Sequence, residues 1–106
     1  MKAIGLIGGT SWVSTIDYYK LLNQLTHEKL GGSNAARIIL YSINFQDFKN
    51  MLDVNDWDSI AVFFTNIAIK LKEAGAECIV IGANTPHLIS DYVQKAVSLP
   101  LIHIAR

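Results

Sequence analysis

The sequence predicts an α/β domain: a small doubly wound parallel sheet of four strands with three main helices. Three observations carry this. Short apolar runs recur without the alternation of a half-exposed strand, as in a sheet covered on both faces. Segments of helical period separate them. Glycines or capping residues stand at the junctions. The resulting order, βαβαβαβ, implies right-handed crossovers.

Residues 3–7 are apolar and end at Gly8-Gly9, a buried strand entering a tight turn. Ser14, with Asp17 three positions on, reads as the N-cap of the first helix, and Gly31-Gly32 ends it. Residues 37–43 read as a second buried strand, and 44–55 as a long loop with some helix. From Asp56, Ile60, Phe64, Ile67, Leu71 and Ala74 recur at steps of three and four, one apolar stripe ended by Gly75. Ile79-Val80-Ile81 is the third strand. Thr85-Pro86 reads as an N-cap with proline in the first helical position, where its missing N–H costs nothing. That helix runs to about Val97, and residues 99–102 lead into the fourth strand.

At 106 residues and 51% hydrophobic, residues 1–106 read as a single domain with one core. Nine basic residues balance nine acidic ones. That leaves no basic face for nucleic acid and no polybasic patch for a membrane surface. No apolar run approaches the roughly 20 residues of a membrane span. The start lacks the long apolar stretch and cleavage-type site of a signal peptide, so a cytoplasmic location is expected. Cys78, the one cysteine, has no disulfide partner in the chain and reads as a small buried hydrophobe.

In an open α/β sheet, ligands bind beyond the carboxyl ends of the strands, where strand order reverses. Residues 8–11, Asn44-Phe45 and residues 82–87 belong there. Free N–H groups at the helix starts favour a carboxylate or phosphate. Each feature has a plainer reading too. Gly8-Gly9 reads equally as a turn, and it is neither a dinucleotide fingerprint nor a P-loop. Asn84-Thr85 serves as a cap whether or not it binds anything. His27, His87 and His103 lack metal-ligand spacing, and His27-Glu28 lacks the rest of a zinc-helix motif. Trp12, Tyr18, Tyr19 and Trp57 read as packing. On these grounds alone the chain is a small α/β domain that binds a small anion.

Taken in order, the chain resembles the amino-terminal half of the aspartate/glutamate (Asp/Glu/hydantoin) racemase family. Residues 4–12, Ser14-Thr15, Tyr18-Tyr19, Gly31-Gly32, Tyr41-Ser42 with Asn44-Phe45, Asp56-Trp57, residues 74–76, Asn84-Thr85-x-His87 and residues 99–105 carry the likeness. The resemblance implies one half of a two-domain fold, with no cofactor: neither pyridoxal phosphate nor metal. It also implies a two-base mechanism, in which one side chain removes the α-proton of an amino acid while another returns one to the opposite face. Cysteine thiolates usually serve.

The resemblance places Thr10, Ser11, Asn84 and Thr85 at the substrate, with the last two holding its carboxylate. Leu52 stands where some relatives have a polar, substrate-touching residue. The first acid/base position is Ala83, whose methyl group cannot move a proton, and Gly82 offers no displaced thiol. Cys78 lies five residues upstream, roughly 15 Å away on an extended strand. A related chain is about twice as long, so the second-half polypeptide is expected as a partner, or else a homodimer using part of residues 45–57. The expected ligand is a small carboxylate or amino acid. The expectation is thus a truncated racemase inactive alone, with a degenerate small-anion or amino-acid binding module, or an oligomer subunit, as the alternative. A nucleotide-binding signalling domain is disfavoured, because no acidic cluster follows the first strand.

Overall fold

All four strands run parallel, in the spatial order β2-β1-β3-β4. The computed structural model describes residues 2–9, 11–82 and 87–103. Within them the chain runs β1 (Ile4–Gly8), α1 (Trp12–Leu30), β2 (Ile38–Ser42), α2 (Phe45–Asp53), α3 (Trp57–Glu73), β3 (Cys78–Ile81), α4 (His87–Val97) and β4 (Leu101–His103). This is the α/β architecture expected from the sequence. The polar stretch after β2 is more ordered than expected: Asn44 Oδ1 accepts the Gln46 amide and caps a full helix, α2.

Alternation along the strands sends side chains to two different covers. Leu6 and Val80 pack with Tyr18 of α1 on one face. Ile7, Ile79 and Ile81 pack with α3 and α4 on the other. The α3 stripe is buried at Ile60, Phe64, Ile67 and Leu71. Each such side chain contributes about 1.5–3 kcal/mol by leaving water. Ala74 departs from the expected stripe. It is exposed at the C-cap, and Ala76, past the Gly75 turn, takes the buried place.

Three further expectations are corrected. The cap of α1 is Ser11, whose hydroxyl accepts the Ser14 amide at 3.3 Å, so the helix starts a turn early and Ser14 lies inside it. Gly9, at φ +92°, turns the chain sharply enough to leave only a short link before the helix. The second strand is not buried along its length: β2 is the sheet's edge, and its pattern is half-buried to exposed. Cys78 is only partly buried. The expected cap at Thr85-Pro86 lies outside the described residues.

Candidate functional site

Strand order reverses between β1, which leads out to β2, and β3, which leads the other way to β4. The crevice above that point lies between the loop after β1 and the loop after β3. The loop after β1, and Gly82 where the chain leaves β3, are held by contacts that run back into the core.

The first loop is stapled from within α1. Thr15, buried, accepts the Gly9 amide at 2.8 Å through its hydroxyl, which donates to the Ser11 carbonyl at 3.0 Å. The same loop is pressed onto the end of β2. The Ile43 amide donates to the Gly8 carbonyl at 2.8 Å, and a Cβ on Gly9 would collide with the Ile43 backbone. Glycine at position 9 is therefore required twice, by its positive φ and by this close approach. Ser11, an expected substrate contact, spends its side chain on the helix cap and stays exposed at the loop.

The third loop leaves the sheet at Gly82, whose amide donates to the Ile7 carbonyl at 3.0 Å. A Cβ at Gly82 would stand 2.7 Å from the ring carbons Cδ2 and Cε2 of Tyr18. The aromatic ring occupies the space that a side chain there would need. Thr10, Ala83, Asn84 and Thr85 lie outside the described residues.

Other candidates are placed away from the crevice. Leu52 packs half-buried against the core beneath α2. Cys78 begins β3, in register with Ile4 at the amino end of the sheet, opposite to the crevice. Desolvation raises its thiol pKa; Lys2 opposes this and Glu77 adds to it. At neutral pH it is a protonated thiol, unsuited to removing a proton. His27 lines a groove of about 720 Å³ with Tyr19, Lys20, Asn23 and Asn34, along α1 and the lead-in to β2 rather than at the crevice. Among the described residues, no three His, Cys, Asp or Glu side chains group as a metal site would require. No helix among them is long and apolar enough to cross a membrane.

Sequence reasoning overlooked Thr15 as a staple and Tyr18 as the wall behind Gly82. Spacing supplied only the shared helix face, not what that face meets. Thr15 lies four residues past Ser11 and Tyr18 three beyond that, one face of a helix that leaves a glycine pair.

Comparison with known proteins fits this geometry. The Asp/Glu/Hydantoin racemase family model matches residues 7–106. A crystal structure of a Yersinia pestis protein described as a candidate Asp/Glu racemase superposes with a TM-score of 0.92 at 48% identity, covering 97% of this chain and 45% of that one. An aspartate racemase homologue from Pyrococcus horikoshii OT3 gives 0.84 at 41% identity, with the same coverage. The chain thus spans less than half the length of either.

Proposed function

From the premise that this chain belongs to the Asp/Glu/hydantoin racemase family, we propose that it forms the carboxylate-binding side of a cofactor-independent amino-acid racemase site. The substrate carboxylate sits at the loops after β1 and β3, at Thr10, Ser11, Asn84 and Thr85, with the start of α4 behind them. The observation that supports this reading most is the strand-order reversal, with the loop after β1 pinned and Gly82 held at the end of β3. Thr15 and Ile43 hold the first, and the second lies against Tyr18.

Racemisation needs a proton carrier on each face of the α-carbon. Position 83, adjacent to the proposed carboxylate site, carries alanine. The opposing carrier belongs to polypeptide that the longer relatives have and these 106 residues lack. The isolated chain therefore binds but does not invert. The test is incubation with L- and D-aspartate and glutamate in deuterium oxide, reading the α-proton by NMR. No wash-in above background is expected; measurable incorporation into either enantiomer refutes the inactive reading. The second reading, a degenerate module that binds small anions as its whole function, is favoured by the same alanine. Adding the second half of a related racemase in trans separates the two. Exchange that appears only in the mixture supports a racemase half, and persistent silence supports the module.

A further inference from the structure

Helices α3 and α4 pack side by side on one face of the sheet, and a pocket opens between their first turns. We propose that this pocket binds a quaternary ammonium group.

The pair is closed at one end and open at the other. Where the helices end, Lys72 Nζ donates to the Val97 carbonyl at 2.7 Å and ties them together. Where they begin, Ala61 of α3 looks across at Ile89 and Tyr92 of α4, and its methyl group leaves the space between them unfilled. The result is a depression of about 290 Å³, lined by Trp57, Asp58, Ala61, Val62, Ile89 and Tyr92. That is the small end of the range for ligand pockets. Ala61 and Ile89 are buried and make its floor. Trp57 and Tyr92 belong to its walls and are 39% and 52% exposed, so aromatic surface is open to a ligand.

The charges choose the sign of that ligand. Asp58 lies in the lining itself, Asp56 stands two residues before it, and Asp91 adjoins Tyr92 on α4. Every lysine of α3 and α4 lies in a last turn, at the far end of the pair: Lys70, Lys72 and Lys95. Three carboxylates outweigh the partial positive charge of about half a unit at each helix start. The pocket therefore attracts cations and repels anions. A cation over an open Trp or Tyr face gains further from the ring quadrupole.

The floor narrows the choice to one kind of cation. Ala61, Val62 and Ile89 offer no side-chain acceptor. An ammonium or guanidinium seated there would bury N–H groups without partners, which is costly. A quaternary ammonium carries its charge without N–H groups and sets methyl groups against the apolar floor. A neutral apolar group would fill the same space and leave the carboxylates unanswered.

Titration of the 106-residue chain with choline, followed by the indole N–H NMR signal of Trp57, tests this. Sodium chloride at equal ionic strength is the blank. The Trp12 indole, on α1 across the sheet, is the internal control. Choline should move Trp57 and not Trp12. It should bind about 5-fold or more tightly than its neutral carbon isostere, 3,3-dimethylbutanol, and more tightly than ethanolamine. Asp58→Asn should remove most of the preference over the isostere. Tyr92→Leu should weaken choline about 5-fold and spare the isostere. A Trp57 shift no larger than the salt blank would overturn the proposal. So would equal affinity for choline and either comparison ligand, or a preference that survives Asp58→Asn. Should a variant misfold, the three ligands on the wild-type chain decide alone. The site uses none of Thr10, Ser11, Asn84 or Thr85, so the outcome is independent of whether the crevice holds a carboxylate.

Discussion

The Thr15 hydroxyl and the Gly9 amide meet at 2.8 Å inside the protein, joining the first helix to the loop that precedes it. Replacing Thr15 with valine keeps the shape but leaves that buried amide without its acceptor. The expected loss is about 1–3 kcal/mol of unfolding free energy. Thr15→Ser should retain most of it. Urea denaturation checks both, and equal midpoints for the valine and serine variants would remove Thr15 from its role as staple.

Gly82 should tolerate no side chain while Tyr18 keeps its place. A Cβ there, 2.7 Å from two ring carbons, forces the ring or the strand to move, at a cost of about 1–3 kcal/mol typical of overpacking. Gly82→Cys is therefore a poor route to a thiol in the crevice. In a double-mutant cycle, Tyr18→Leu should relieve most of the penalty of Gly82→Ala. Additive losses would show that the two residues do not compete for space.

Thr65 is buried within α3, and its hydroxyl has no hydrogen-bond partner among the described residues. Burying an unpaired hydroxyl is unfavourable. Thr65→Val should thus raise stability, by about 1 kcal/mol, visible as a higher urea midpoint at unchanged slope. A lower midpoint would mean that the hydroxyl is satisfied in solution.

Cys78 should alkylate slowly at neutral pH. Because desolvation lifts its pKa above the ordinary thiol value, the reactive thiolate is scarcer than in a free thiol at the same pH, and the rate profile moves to higher pH. Removing the positive charge with Lys2→Gln should shift it further up, and Glu77→Gln should shift it down. Iodoacetamide kinetics against pH read these directions. A profile at or below that of a model thiol contradicts them.

Ala83→Cys should not confer α-proton exchange coupled to inversion on the isolated chain. One thiol can at most exchange a proton on one face, and inversion needs a second carrier opposite. Chiral chromatography after long incubation decides this, with any formation of the opposite enantiomer counting against the two-carrier argument.

Much of the fold was legible in the sequence, because helices and their ends are written in contacts a few residues apart. The Ile60-Phe64-Ile67-Leu71 stripe, the helix start at Asp56 and the Gly75 stop needed nothing beyond their own segment. The four apolar strands announced a covered parallel sheet. The start of α1 was misplaced by a turn because Ser11 and Ser14 are equally good caps in isolation. The tight turn at Gly9, set by the Ile43 backbone, chose between them. The candidate site divides in the same way. Alanine at position 83 is a fact of the sequence, and it excludes proton transfer there whatever the fold. That Thr15 holds Gly9, that Tyr18 fills the space over Gly82, that Leu52 turns into the core and that β2 is an open edge are decided by tertiary structure. Apart from the Thr15–Gly9 bond, which spans six residues, each depends on which strand lies beside which, through contacts between residues far apart in the chain. No local pattern of residues carries that information.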